Sequence, residues 1–427
     1  MMQPERNPDP RNCDCDAHDA TRAKLIPFDA ALLKGLALAI PISETETLAL
    51  ATATGRVLAR PVVARTPLPP FDNSAMDGYA VRIADFDGSP PWHLPVGARI
   101  AAGEPAVDDF APGTAVRVLT GAQVPSGFDA VIMQEKVECR GTGITVLRRP
   151  ASGENIRRAG EDLEPGGIIL KAGRCLGTRA MAALAAVGDG MATVNRKIRV
   201  AIFSTGTELR EPGEPLGPGQ IWNSNRFMLM ADLTEPWIEL IDFGTVKDDA
   251  RTLKATLAEA ATVADIVVST GGMSVGDEDH MPRVFQEIGG RIDVMRVAMK
   301  PGKPVMVGML GETIYVGLPG NPVSAFVTWM LIGRKILEKK AGFVDTTNMT
   351  SKVMAGFDLS RRPGRCEFRP ARVVGLDASG NRIVLLSEPS FSARIASLAA
   401  ADGLALLPAE KARVSRGDLL EFLPLLN

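Results

Sequence analysis

Hydrophobic and polar positions change their period several times along the chain. The run DAALLKGLALAI from Asp29 places an N-cap candidate before an apolar-rich helical stretch, which Pro41 stops. Between about Arg60 and Arg158, short β-branched runs (AVRVLTG, DAVIMQE, ITVLRR) are separated by Gly and Pro, predicting a small β-rich module. NIRRAGEDLEPGGIILKAG then leads into an Ala-rich helix over about 178–187 whose texture matches the opening helix. The β module therefore reads as an insertion into a discontinuous domain. From Lys197, apolar strands over 198–203, 237–243, 266–269 and 314–318 alternate with helical stretches, as in a parallel α/β sheet. After about Ala341, CEFRPARVV, RIVLL, LALLP and DLLEFLPL predict a small all-β domain.

The expected fold class is multidomain α+β and α/β. A disordered tail covers 1–22, a discontinuous linker domain 23–60 plus 159–196, and the inserted β-rich module 61–158. A central three-layer α/β domain covers 197–342 and a small β-barrel-like domain 343–427. A length of 427 residues suits several compact units. No fixed-period repeat or sustained heptad pattern suggests a solenoid or coiled coil.

Composition is ordinary for a globular protein, with 45% hydrophobic and 23% charged residues. A net charge of -2 gives no global attraction for nucleic acid or anionic lipid, so any bound anion must be held locally. The first residues lack the basic start and apolar run of a secretory signal. The stretches 31–40 and 325–332 fall far short of the ~20 residues of a membrane span. A soluble, cytoplasmic protein is expected, with no membrane partner. Five cysteines, scattered except for Cys13 and Cys15, make no disulfide framework. Cys13, Cys15 and His18 could trap a metal, but an accident of tail composition is the simpler reading.

In open α/β sheets ligands bind beyond the carboxyl ends of the strands. The first strand runs into Ser204, Thr205, Gly206, Thr207 and Glu208, where small residues bring backbone N–H groups near a ligand. The second leads through Gly244 to Asp248 and Asp249. The third ends in Thr270, Gly271, Gly272, Met273, Ser274, Val275 and Gly276, then Asp277, Glu278 and Asp279, which open a helix through Gln286. The fourth ends in GLPGNP, with Pro319, Gly320, Asn321 and Pro322, before a helix through Leu337; Lys300 and Lys303 lie in KPGKP just upstream.

Each feature also has a plain structural reading. First-turn carboxylates such as Asp279 are ordinary helix caps, Gly-rich turns often only reverse the chain, and loop lysines are usually solvated. Their coincidence on one expected edge points to a site. Clustered carboxylates favour a hard cation such as Mg²⁺, and lysines with glycine N–H groups suit anionic oxygens. Neither GxxxxGK[ST] nor GxGxxG occurs, which disfavours ATPase and NAD-dehydrogenase readings. His18, His93 and His280 give little support to a Ser-His-Asp hydrolase or a His-rich zinc site.

Seven motifs then carry a resemblance: PPFDNSAMDGYAVR (69–82), LTGAQVP (119–125), NIRRAGEDL (155–163), FSTGTEL (203–209), STGGMSVGDED (269–279), KPGKP (300–304) and GLPGNPV (317–323). In this order they resemble the MoeA-type molybdopterin molybdenumtransferases, a family also represented by the C-terminal domain of gephyrin. The match spans about 22 to 410. The TGG loop alone is shared with molybdopterin adenylyltransferases and competence-damage proteins, so the β module decides.

The resemblance implies that the α/β domain binds molybdopterin, that the discontinuous domain serves dimerisation, and that the active site lies between subunits of a homodimer. It implies cleavage of adenylylated molybdopterin in the presence of molybdate and a divalent cation, yielding molybdenum cofactor and AMP. A molybdopterin adenylyltransferase and a molybdoenzyme or its chaperone are the further partners it suggests. Carried over by motif, Asp77, Thr120, Asp162, Glu208, Asp248, Asp279 and Lys300 are catalytic, with Glu208, Asp248 and Asp279 as metal ligands. Substrate binding falls to Ser204, Thr205, Gly206, Thr270, Gly271, Gly272, Ser274, Gly276, Arg296, Lys303, Pro319, Gly320, Asn321, Pro322 and Ser392.

There are departures. Arg296 stands where the family usually has lysine, exchanging a point donor for a fork. The family's C-terminal serine segment is FSARIASLAAADG here, where Ser392 and Ser397 align but their neighbours differ. Asp72 and Asn73 could equally build a turn through Asx chemistry. The competing functional readings are an adenylyltransferase, which would consume ATP and needs only the α/β domain, and a non-catalytic scaffold.

Overall fold

A computed structural model describes residues 25–106, 109–273, 280–345, 350–387 and 393–425. By its internal contacts the chain divides into two compact units, Thr45–Asn195 and the described residues on either side of it.

In the first unit, antiparallel pairing of Thr45–Ala49 with Met191–Asn195, and of Val62–Val63 with Ile168–Leu170, brings the two ends of the unit together. Leu58, Leu176, Leu184 and Val194 are buried in the core these pairings enclose. Between the two halves lies the β module, a six-stranded sheet in the order Ala130–Met133, Gly78–Val81, Ala115–Val118, Trp92–Ile100, Gly143–Val146, Val137–Arg140. Gly78–Val81 and Ala130–Met133 read as unbroken apolar runs because both faces of the sheet are covered there. Tyr79, Val81, Ala115, Ala130 and Ile132 face one core, while Ala80, Val116, Val118 and Val131 face another.

The second unit holds the α/β domain. Its six-stranded sheet runs Ile238–Val246, Ile198–Thr205, Ile266–Thr270, Thr313–Leu318, Met306–Leu310, Arg291–Met295. The first four strands are parallel, as expected from the sequence. Met306–Leu310 is antiparallel to both its neighbours, so the sheet is mixed rather than wholly parallel. Met306–Leu310 hairpins onto Thr313–Leu318 through a turn with Gly311 at φ +60°, leaving no room for a crossover helix. Helices Ala250–Val263 and His280–Glu287 bury Leu253, Leu257, Met281, Val284 and Phe285 against Phe203, Val267 and Tyr315. The helix begun at Pro322 continues through a π turn at Trp329–Gly333 to Lys340. Trp329 Nε1 and Arg334 Nη1 donate to Asp232 Oδ2 at 2.6 and 2.8 Å, tying it to helix Ser224–Asp232.

The opening helix, Phe28–Leu38, belongs with this second unit, whereas the expected 23–60 segment put it with the discontinuous domain. Gly35 is the reason. A Cβ there would lie 2.7 Å from Ile336 Cδ1, so glycine lets the helix press onto Arg334–Lys340, and Lys339 Nζ caps the Leu36 carbonyl at 2.8 Å. Asp29 is not the N-cap. Ile26 is bridged to Val297, so the chain turns at Pro27, which becomes the N-cap, and the helix begins two residues early, with Asp29 in its first turn. The helix also ends at Leu38, before Pro41 is reached.

At the C-terminal end, Cys366–Leu376, Arg382–Leu386, Ser351–Ala355, Leu419–Pro424 and Gly403–Leu407 close into a five-stranded barrel, because Cys366–Leu376 pairs with both Arg382–Leu386 and Gly403–Leu407. The short strand Met299–Lys300 adds to its edge. No helix among the described residues is long and apolar enough to cross a membrane.

Candidate functional site

The carboxyl ends of the parallel strands carry a polar floor that apolar packing alone would not require. Ser204, Thr205 and Thr270 are buried there, as are Asn223 and Asn225 at the start of helix Ser224–Asp232. Ser204 Oγ donates to Asn223 Oδ1 at 3.3 Å and lies 3.1 Å from Thr270 Oγ1. Asn223 also caps the helix by accepting from Arg226 N, and its Nδ2 donates to Thr245 Oγ1 at 3.0 Å. Thr245 passes the chain to Glu211 at 2.8 Å, and Arg226 binds both Glu211 and Asp242. Burial alone would raise the Asp242 carboxyl, but hydrogen bonds from Arg226 and Gly244 N, with the guanidinium charge, hold it below its ordinary value.

The glycine loops are shaped by close approach. Gly271 has φ +90° and a Cβ on it would sit 1.9 Å from the Thr205 carbonyl oxygen. Gly272, at φ +61°, places its Cβ direction 3.1 Å from Thr205 Cγ2 and 3.8 Å from Asp248 Oδ1. A Cβ on Gly320 would lie 3.8 Å from Gly271 Cα, so the GLPGNP loop lies beside the TGG loop. Asn321 is the N-cap residue and Pro322 the first residue of the following helix, as proline at that position favours. A Cβ on Gly206 would lie 2.6 Å from Glu208 Oε2, so the Glu208 carboxylate folds back over the first loop.

The acidic pair after the second strand separates cleanly. Asp249 is a helix N-cap, bonded by Thr252 N at 2.9 Å and Thr252 Oγ1 at 2.7 Å. Asp248 Oδ1 is buried with no hydrogen-bond partner, and so are Thr205 Oγ1 and Asn225 Oδ1. Buried acceptors are ordinarily satisfied, and three orphans at one sheet edge need an explanation. Ser274, Gly276 and Asp279 lie outside the described residues, as does Ser392. Among the described residues no group of three or more His, Cys, Asp or Glu stands together to hold a metal.

Lys300 is engaged more than its sequence context suggested. Its strand pairs with the barrel, and its ammonium lies 3.8 Å from the buried Glu367, which Arg361 also binds at 3.1 Å. Arg296 adopts φ +59° and its backbone is held by Val305 and Ile26. Gly302, at φ +104°, brings the Lys303 loop against Thr328, where an added Cβ would lie 2.3 Å from Oγ1.

In the other unit, Asp77 Oδ1 accepts from Thr120 Oγ1 at 2.7 Å and Thr120 N at 2.8 Å, so two residues 43 apart in sequence form one pair. The Thr120 hydroxyl and then its N–H keep the Asp77 carboxyl below its ordinary value. Asp162 is exposed, in a turn whose backbone N–H bonds Leu68 O. Asp72 is structural: it pairs with Arg158 and accepts from Ala159 N at 2.8 Å, clamping the NIRRAGED segment. Asn73 is buried, with its ladder partner in Arg157. His93 bonds Thr145 on a neighbouring strand at 2.9 Å.

The residues sequence reasoning passed over are Asn223, Asn225, Thr245 and Glu211. NSN ahead of an apolar run reads as a cap, which Asn223 is; nothing in the spacing shows that the amides also reach two other strand ends.

Fold and site define a class: a multidomain protein whose mixed α/β domain presents glycine loops, unsatisfied buried oxygens and carboxylates at its carboxyl edge. Three family models match in succession: "MoeA N-terminal region (domain I and II)" over 26–188, "Probable molybdopterin binding domain" over 201–339, and "MoeA C-terminal region (domain IV)" over 352–425. The chain is 35% identical over 383 residues to the molybdopterin molybdenumtransferase 2 of Mycobacterium tuberculosis, covering 88% of this chain and 94% of the relative. It is 37% identical over 329 residues to the molybdopterin molybdenumtransferase of Haemophilus influenzae, covering 77% and 81%. The crystal structure of the molybdopterin biosynthesis MoeA protein from Pyrococcus horikoshii OT3 superposes with a TM-score of 0.81 at 31% identity, covering 94% of this chain and 100% of that one. The chain belongs to the MoeA family, the molybdopterin molybdenumtransferases of molybdenum cofactor biosynthesis.

Proposed function

We propose that this chain inserts molybdate into adenylylated molybdopterin, releasing AMP and forming molybdenum cofactor. The observation that carries the reading is the set of buried, unpartnered oxygens on Thr205 and Asp248, set against the glycine loops at the carboxyl edge of the sheet. The Gly271 and Gly272 loop lies close against Thr205 because neither residue carries a Cβ, and with the Gly271 N–H taken by the Leu318 carbonyl it is the Gly272 N–H that can approach an anionic oxygen. Lys300 and Lys303 offset anionic charge, with Glu367 holding the Lys300 ammonium in place.

Mg²⁺ is part of the proposal. Its donors are Asp248, whose Oδ1 is buried and free of any hydrogen bond, with Glu208 and Asp279. An all-oxygen donor set suits this hard cation. When bound it supplies Lewis-acid polarisation of the phosphate linkage. The chain's residues meanwhile fix the orientation of the substrate and stabilise the charge that develops as AMP leaves. A cytoplasmic homodimer, fed with adenylylated substrate by a molybdopterin adenylyltransferase, completes the proposal.

The test is AMP release from adenylylated molybdopterin with Mg²⁺, with and without molybdate, beside ATP consumption on molybdopterin alone. Molybdate-dependent release without ATP use is expected. ATP-dependent adenylylation would make the chain an adenylyltransferase, and neither activity would make it a scaffold. Sedimentation at micromolar concentration checks the dimer.

A further inference from the structure

Asn225 is 7% exposed and is the second residue of helix Ser224–Asp232. Its Nδ2 donates to the Gly320 carbonyl at 2.8 Å, and because only the amide nitrogen can donate to a carbonyl, Oδ1 is forced to the other side. There it is buried without a partner. A buried amide oxygen left unsatisfied costs stability, so a leucine of similar shape would serve packing better. Gly320, for its part, does not need the amide, since it is exposed and its carbonyl can turn to water. What the bond does is hold the GLPGNP loop to the start of helix Ser224–Asp232, beside the TGG loop, where a Cβ on Gly320 would lie 3.8 Å from Gly271 Cα.

We propose that Asn225 is a positioning residue: its amide tethers the GLPGNP loop to the start of helix Ser224–Asp232 and so sets the spacing of that loop from the TGG loop at the pterin-phosphate site, at a cost in stability. The proposal rests on the molybdopterin-site reading above. It differs from the role of Asn223, whose amide joins two strand ends and caps the helix, both structural tasks. The distinction follows from the atoms. Both polar atoms of Asn223 are satisfied within the fold, while Asn225 spends one on a solvent-exposed loop and leaves the other bare.

The experiment titrates molybdopterin into wild type, Asn225→Leu and Asn225→Asp at neutral pH and measures the thermal midpoint of each. Asn225→Leu removes the donor and the orphan together; Asn225→Asp keeps the shape and an acceptor but cannot donate to Gly320. Both variants are expected to bind about three- to tenfold more weakly, the range of one net hydrogen bond. The leucine variant should melt at or above the wild-type temperature. Wild-type affinity in either variant would overturn the proposal, because the donor would then be dispensable. A leucine variant that melts well below wild type would also overturn it, since Asn225 would then be serving stability. Wild type that binds molybdopterin but releases no AMP sinks the transferase reading and leaves this comparison intact.

Discussion

Replacing Gly271 by alanine tests whether the TGG loop is held against the first strand by the absence of one methyl group. Two costs add. The backbone at φ +90° disfavours any side chain, by about 1–3 kcal/mol. The methyl would also lie 1.9 Å from the Thr205 carbonyl oxygen, against the 3.4 Å or more of an ordinary contact. Thr205 cannot give way easily, since it ends a strand paired on both sides and is 1% exposed. Forcing such an overlap in a packed region costs about 1–3 kcal/mol more. Gly289 supplies the control. Its φ is +89° and nothing lies within 4 Å of its Cβ direction, so Gly289→Ala carries the strain without the clash. Urea denaturation should show Gly271→Ala less stable than Gly289→Ala by about 1–3 kcal/mol, and molybdopterin titration should show affinity lost only in the former. Equal midpoints and equal affinities would refute the close approach as the determinant of the loop.

The remaining predictions address single groups. Asp248→Ala should cut AMP release at least tenfold while leaving the melting temperature unchanged, because the buried Oδ1 it removes has no partner to lose; wild-type turnover would end its proposed role. Thr120→Val removes the hydroxyl at 2.7 Å and keeps the N–H, so carboxyl NMR should find the Asp77 pKa moved up toward its ordinary value; an unmoved titration would break the pair. Asp265 contributes to the acid dependence of stability. Burial would raise its carboxyl, but Arg196, bidentate at 2.8 and 2.9 Å, together with Arg199, lowers it to about 2. Since the folded value lies below the unfolded one, its contribution is complete above about pH 5 and is lost as pH falls toward 2. Discounted for solvent screening, that contribution is about 1–2 kcal/mol, and Asp265→Asn should abolish this part of the pH dependence.

The four parallel strands and the glycine and acidic residues at their ends were legible in the sequence because each depends on local signals: an apolar run, then small residues, then a carboxylate. The five-stranded barrel at the C-terminal end announced itself by short strands at close spacing. Residues 291–295 and 306–310 were not read as strands. They are short, and Gly308 interrupts the apolar run of one; a Cβ there would meet the Arg291 carbonyl at 2.2 Å, a contact visible only once the hairpin is folded. The Asp248–Asp249 pair looks uniform as sequence, yet one residue caps a helix and the other is left bare.

By itself, then, the sequence determined the four parallel strands and the principal helices, which loops lack side chains, and, through its ordered motifs, the family. Tertiary structure alone decided that the opening helix packs on the α/β domain through Gly35, that Lys300 answers to Glu367, and that two asparagines at one helix start do different work. The physical reason is range. Propensity and hydrophobic period act over a few residues, whereas a hydrogen bond such as Asn225 to Gly320 joins positions 95 apart, and only the fold brings its donor to its acceptor.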